Sequence, residues 1–271
     1  MDDFKQIGRD RVVPIGLGTW GIGGKNYPDS SKDSDMIKII EFAVQSGLKL
    51  IDTAEFYAQG HTEELVGKAI KGFEKEDVFV ISKVWYTHLE RDQVIKAAEN
   101  SLKRLDVPYI DLYLIHWPNE SVPLRETLSA MQKLIDEGKI RYAGVSNFDI
   151  ELLKRAREEM PRSDIVADEV RYSLLYRGPE KELIPYCKRE KIALIAYTPL
   201  EKGLISADTF LNKIGQKYNK TATQVALNWL ISNDAIAIPK SEKIAHIKEN
   251  AGAMGWKLSQ EDFNAISEKY R

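Results

Sequence analysis

Short segments dense in Val, Ile, Leu and Ala recur near residues 13–20, 48–54, 78–84, 110–117, 142–148, 165–172, 192–199 and 235–241. Between them the apolar positions form stripes three and four residues apart, as with Ile37, Ile40 and Val44, or Val94, Ala98, Leu102 and Leu105. The segments have the composition of strands buried on both faces, and the stripes that of helices with one buried side. Eight strands alternating with helices predict an α/β fold, a (β/α)8 TIM barrel. Ser34 or Asp33 is placed to cap the first helix, Gly47 stands just past its last turn, and Gly138 and Gly255 stand at comparable stops. The interval between strands 7 and 8 is the longest and holds two helical stretches, roughly 204–218 and 221–232, which predicts an extra helix there. Ahead of the first strand, Gln6–Val13 places Gly8-Arg9-Asp10-Arg11 between short apolar pieces, the pattern of an N-terminal β-hairpin closing the barrel's bottom. No Pro/Gly/Ser-rich linker or charge block divides the chain, so residues 1–271 are read as one domain.

Length agrees with that reading, since 271 residues match the ~250 of such a barrel. The 43% hydrophobic and 30% charged content is that of a soluble globular protein, and no apolar run approaches the ~18 residues of a membrane helix. The start, from Met1 to Gln6, lacks the basic and apolar stretches of a secretory leader, so a cytoplasmic location is expected. A net charge of −2 and a pI near 6.2 offer no general attraction to nucleic acid or anionic lipid. Cys187 is the only cysteine, which excludes an internal disulfide and a cysteine metal cluster. The four histidines, His61, His88, His116 and His246, have no ligand spacing, so no metal is expected. A monomer or weak homo-oligomer is anticipated.

Two patterns carry candidate chemistry. Gly16-Leu17-Gly18-Thr19-Trp20-Gly21 matches G-x-G-x-x-G after a strand, but Ile22 to Pro28 reads as loop where a dinucleotide fingerprint needs a helix. The second pattern is Asp52, Tyr57, Lys83 and His116, each at or just past the end of a successive predicted strand. Strand ends are where barrels of this class build their chemistry. An ammonium at Lys83 near Tyr57 would lower the phenol's pKa, Asp52 would hold Lys83 charged and in place, and His116 could steer a carbonyl oxygen toward the Tyr57 hydroxyl.

The chain resembles the aldo-keto reductases from Gly16 to Asn250. The matching pieces are Gly16-Leu17-Gly18-Thr19-Trp20, Ile51-Asp52-Thr53-Ala54 with Tyr57, Ser82-Lys83-Val84-Trp85, Ile115-His116-Trp117-Pro118, Gly144-Val145-Ser146-Asn147-Phe148, Ala196-Tyr197-Thr198-Pro199-Leu200 and Ile238-Pro239-Lys240-Ser241. The resemblance implies a barrel that binds a nicotinamide cofactor across its C-terminal face and reduces small aldehydes or ketones, or oxidises the alcohols. It implies Tyr57 as proton donor, Lys83 and Asp52 as its tuning pair, and His116 as the substrate-orienting residue. Ser146 and Asn147 would bind the nicotinamide carboxamide and Tyr197 would stack on its ring. Gly18, Thr19, Trp20, Pro199 and Ile238 would line the cofactor's path, with Leu200 through Gly203 along the pyrophosphate. Lys240 and Ser241 would take the 2′-phosphate of NADP, and Glu249 and Asn250 the adenine. Trp20, Trp85 and Trp117 would wall an apolar substrate pocket with Tyr57 and His116.

The chain departs from the family pattern in two places. Asp168-Glu169 stands where many members have Asn-Gln, and an ionised Glu169 beside the ring should favour the oxidised cofactor. His246 stands where NADPH-specific relatives carry arginine, so NADPH is expected to be preferred through Lys240, with NADH accepted. The chain also ends soon after its last helical pattern, which predicts a more open pocket. Two rivals share the barrel: a cofactor-binding regulatory subunit with little turnover, against which the intact tetrad argues, and an isomerase or hydrolase of phosphorylated sugars, which needs no nicotinamide site.

Overall fold

An antiparallel hairpin, β1 (Lys5–Ile7) and β2 (Asp10–Val12), precedes eight parallel strands in the computed structural model, which describes residues 4–271. Met1, Asp2 and Asp3, where a leader would begin, lie outside the described residues. The parallel strands are β3 (Leu17–Gly18), β4 (Leu50–Asp52), β5 (Phe79–Val84), β6 (Ile110–Ile115), β7 (Ile140–Ser146), β8 (Ile165–Arg171), β9 (Ala193–Tyr197) and β10 (Ala235–Ala237). Each pairs with its sequence neighbour. The segment before β3 closes the sheet onto β10, because Gly16 N donates to the Ala237 carbonyl and Ala237 N to the Pro14 carbonyl, both at 2.9 Å. Closure is tight at Gly18, where a Cβ would meet the Ile238 carbonyl oxygen at 2.7 Å. The expected barrel with its hairpin is therefore present.

Helices α1 (Asp33–Gln45), α2 (His61–Ile70), α3 (Arg91–Leu105), α4 (Leu124–Asp136), α5 (Ile150–Glu159) and α6 (Leu183–Glu190) connect the strands up to β9. The extra helix is α7 (Thr209–Gln216), ahead of α8 (Ala222–Ser232), with α9 (Ile244–Ala251) and α10 (Gln260–Lys269) following β10. The extra helix begins later than 204, because Glu201–Ala207 forms an irregular 3-10 turn with left-handed Lys202 and Gly203, and Asp208 then caps α7 by accepting from Leu211 N at 2.9 Å. At the first helix neither Asp33 nor Ser34 is the cap: Asp33 is already helical, and Asp29 caps the 3-10 turn before it by accepting from Ser31 N. Gly47 and Gly138 hold the left-handed geometry expected at their helix ends, whereas Gly255 lies in the turn beyond Gly252, which ends α9. No helix among the described residues is long and apolar enough to cross a membrane. Cys187 is buried.

Two cores divide the strand residues between them. Val80, Val84, Tyr113 and Ile115 pack outward against the helices. Phe79, Ile81, Leu112, Leu114, Ala167, Ile195 and Ile236 fill the barrel, with Ile7 and Val12 of the hairpin joining that cluster. Side chains alternate along a strand. Extending the inward set by two residues at a time leads from Leu50 to Asp52, from Ile81 to Lys83, from Leu114 to His116 and from Ala167 to Glu169. The polar layer at the C-terminal mouth is thus set by strand periodicity.

Candidate active site

Lys83 is fully buried at the centre of this layer. Its ammonium makes a short contact with Asp52, donates to the Thr53 carbonyl at 3.0 Å and stands 3.4 Å from both the Tyr57 hydroxyl and Glu169 Oε2. His116 lies across Tyr57, ring to ring at 5.6 Å, and its Nδ1 is buried with no partner among the described residues. Tyr57 is fixed by the backbone that follows it, since Ala58, Gln59 and Gly60 are all left-handed and turn the chain directly into α2. All four residues that strand-end reasoning singled out are brought together, and Glu169 joins them.

Burial works against the Lys83 charge, but Asp52 and then Glu169 outweigh it and hold the ammonium above the ordinary lysine range. Burial and the Lys83 charge push His116 down to about 2, so its imidazole is neutral throughout the physiological range. Tyr57 contradicts the expected lowering. Burial raises it well above the ordinary tyrosine range, with Asp52 and Glu169 adding to that and Lys83 only partly offsetting them. The phenol accordingly keeps its proton at neutral pH. Burial, then Asp52, likewise raises Glu169 more than Lys83 lowers it.

An aromatic wall stands over the layer. Trp20 meets Tyr57 edge-on at 5.0 Å, Phe56 stacks on Trp85 at 3.8 Å, and Trp85 meets His116 at 5.0 Å. Trp117 follows His116 in a bend, is exposed, and takes no part in these ring contacts among the described residues. Phe56 stands between Trp20 and Trp85, stacked on both.

The residues expected along a cofactor fall into three groups. At β3, the Thr19 hydroxyl is buried and donates to the Asp52 carbonyl at 2.8 Å, fixing the strand end. At β7 and β8, Ser146 and Glu169 are partners in register, and the Ser146 hydroxyl donates to the Glu169 carbonyl at 2.8 Å. Left-handed Asn147 donates to the His116 carbonyl at 3.1 Å and accepts from the Tyr197 hydroxyl at 2.8 Å. Pro199 and Leu200 lead from Tyr197 into the irregular turn that holds Gly203. After β10, Ile238 joins the barrel interior, and Lys240 is half-exposed, paired with Glu242. Ser241 is buried, its hydroxyl accepting from Lys243 N at 3.0 Å at the start of α9. His246 is exposed, Asn250 is buried, and Glu249 accepts from the Thr221 hydroxyl at 2.7 Å.

Comparison with known proteins places this geometry. The model of the aldo/keto reductase family matches residues 14–271. The chain belongs to the aldo/keto reductase family. It is 37% identical to methylglyoxal reductase YeaE of Escherichia coli (strain K12), over 98% of this chain and 94% of that protein. Among solved structures it is similar to the thermostable aldo-keto reductase Tm1743 in complex with the inhibitor epalrestat, with a TM-score of 0.94, 46% identity and 98% of each chain covered. An aldo/keto reductase from Klebsiella pneumoniae in complex with NADP and acetate aligns with a TM-score of 0.89 and 35% identity, covering 100% of this chain and 96% of that one. As a member of the aldo/keto reductase family the chain is an oxidoreductase.

Around this aldo/keto reductase site, sequence reasoning missed three supports. Glu55 accepts from Trp85 N at 2.7 Å and fixes the wall. Phe56 lay unread between Glu55 and Tyr57. Glu201, buried in the turn after Leu200, makes an ion pair with Arg171 and accepts from the Ser173 hydroxyl at 2.7 Å. The inward step from Glu169 to Arg171 was the available signal for that last cluster.

Proposed function

We propose that this chain reduces small aldehydes and ketones with NADPH, and that residues 1–271 act as one barrel domain in doing so. The observation that carries the reading is the Tyr57 hydroxyl 3.4 Å from a buried Lys83 ammonium held by Asp52, beneath aromatic rings and beside a neutral His116. The relative named as a methylglyoxal reductase and the neighbour crystallised with NADP support the substrate and cofactor classes. When bound, reduced nicotinamide would supply the hydride. His116 would donate one hydrogen bond to the carbonyl oxygen, and Tyr57 would deliver its proton to that oxygen as charge develops there. The phenolate left behind would face the Lys83 ammonium, which stabilises it until solvent returns a proton.

The residues present fit the cofactor. Ser146, Asn147 and Glu169 cluster at the ends of β7 and β8, with Tyr197 bonded to Asn147, and these would hold the carboxamide and ring. Gly18, Thr19, Trp20, Pro199, Leu200, Gly203 and Ile238 would follow the backbone of the dinucleotide. Lys240, with Ser241 shaping its turn, would meet the 2′-phosphate, while His246, Glu249 and Asn250 would lie on the adenine side. With Lys240 sharing its charge with Glu242, NADPH would be preferred and NADH accepted.

The test is consumption of NADPH, followed by absorbance, with a panel of small aldehydes and ketones and repeated with NADH. Tyr57→Phe is expected to lower kcat by about 10²–10⁴ with little change in cofactor binding. Binding without turnover in the native protein would move the chain to the regulatory-subunit reading, and absence of binding would exclude both.

A further inference from the structure

The Asp52–Lys83–Glu169 cluster contains two carboxyl groups and one ammonium, with no side chain more than 3% exposed. Asp52 holds the short contact with the ammonium. Glu169 Oε2 lies 3.4 Å from the same nitrogen but off the line of a hydrogen bond, and no partner among the described residues closes on it. The charged and titratable groups facing Glu169 are Asp52 from β4, Tyr57 from the turn beyond it, Lys83 from β5 and Tyr197 from β9, with Asp168 beside it on β8. Of these only Lys83 is a cation. One buried ammonium compensates one carboxylate, and a second ionised carboxylate would be a buried charge with no counter-ion, which proteins avoid by protonation.

We propose that Glu169 is a neutral carboxylic acid in the working enzyme, leaving the Asp52–Lys83 pair at zero net charge and presenting an amide-like donor and acceptor at the nicotinamide end of the site. The neutral acid offers one O–H donor and one carbonyl acceptor, the same complement that a Gln side chain presents to a carboxamide. Its register with Ser146 puts it at the level where the carboxamide would be held. The upward push that burial and Asp52 exert on Glu169 agrees with this state. Glu169 then acts by withholding a charge, and the preference for oxidised cofactor expected of an ionised Glu169 is absent at neutral pH.

The cofactor role rests on the reductase reading, whereas the protonation state does not. Infrared difference spectra of the cofactor-free protein at pH 7 are expected to show a protonated-carboxyl C=O band that Glu169→Gln removes. Asp168 contributes a band of its own that this variant leaves in place, and survival of every such band in Glu169→Gln overturns the proposal. If that variant does not fold, Asp52→Asn reads the same proton: Glu169 becomes the sole counter-ion of Lys83, ionises, and loses its band beside that of Asp168, while survival of every such band overturns the proposal. In fluorescence titrations at pH 7, the ratio of NADP⁺ to NADPH dissociation constants should differ by less than about threefold between wild type and Glu169→Gln, and a larger rise in the variant means an ionised Glu169. A protein that binds neither cofactor refutes the reductase reading, and the infrared bands still decide the charge on Glu169.

Discussion

Lys240 reaches the loop after β3, where a Cβ at Gly21 would stand 3.7 Å from its ammonium, yet that ammonium is already paired with Glu242. Both side chains are more than a third exposed, so the pair is screened and worth only about 0.2–1 kcal/mol. That range still matters for a phosphate that must displace or share the carboxylate. Glu242→Gln should tighten NADPH by about 1.5- to 5-fold, the same energy expressed as affinity, and leave NADH unchanged. Fluorescence titration with the two cofactors separates the cases: an equal shift for both, or none for either, would mean that Lys240 does not meet the 2′-phosphate. Tyr57 teaches the same lesson about residues read singly. Its neighbour Lys83 was legible from strand ends, but the direction of its pKa was not, because that depends on burial and on a second carboxyl group arriving from β8, more than 100 residues away in the chain.

Strand β7 is tightly packed at Gly144. Gly144 points into the barrel, and a Cβ there would stand 2.6 Å from Leu114 Cδ2 and 2.9 Å from the Ala167 carbonyl oxygen, so the Leu114 side chain and the β8 backbone would have to shift. Gly144→Ala should cost about 1–3 kcal/mol as an overpacked core position. For a chain of this size that lowers the melting temperature by about 2–4 °C per kcal/mol. The same displacement should weaken NADPH binding, since Ser146 and Asn147 ride at the end of β7. Thermal melts and cofactor titrations on one preparation check both, and an unchanged melting temperature would show that Leu114 and β8 yield without cost. The element-scale pattern also explains what could be read in advance. Apolar runs located all eight barrel strands, and the two-residue alternation carried Lys83 and His116 inward as a matter of geometry. The α7 boundary was not legible, because it depends on left-handed turns, and the Arg171–Glu201–Ser173 cluster was legible only on its Arg171 side, because Glu201 arrives from a left-handed turn about 30 residues away.

For the molecule as a whole, the buried acids bear on stability as well as on catalysis. Asp168 is fully buried, and burial raises it well above the ordinary carboxyl range, more than the Phe148 amide lowers it. In the unfolded chain an aspartate releases its proton near 3.9. Between that value and its raised folded value, the native state therefore binds a proton that the unfolded state does not. Stability from this group is complete at acid pH and falls as pH rises. Other groups act in the opposite sense: Asp234, Glu201 and Asp262 are each lowered by lysine or arginine partners against the cost of burial, so their stabilisation is lost as pH falls. The total pH profile mixes the two kinds, and a difference between wild type and Asp168→Asn isolates one. The amide is uncharged in the folded and unfolded chain alike, so no proton has to be retained on folding. The variant should match wild type near pH 4 and exceed it by about 1–3 kcal/mol at pH 8, the usual cost of a buried polar group left unsatisfied. Urea denaturation at the two pH values measures this directly. A gain of equal size at both would point to packing, and no gain at pH 8 would mean that Asp168 loses its proton inside the fold without penalty.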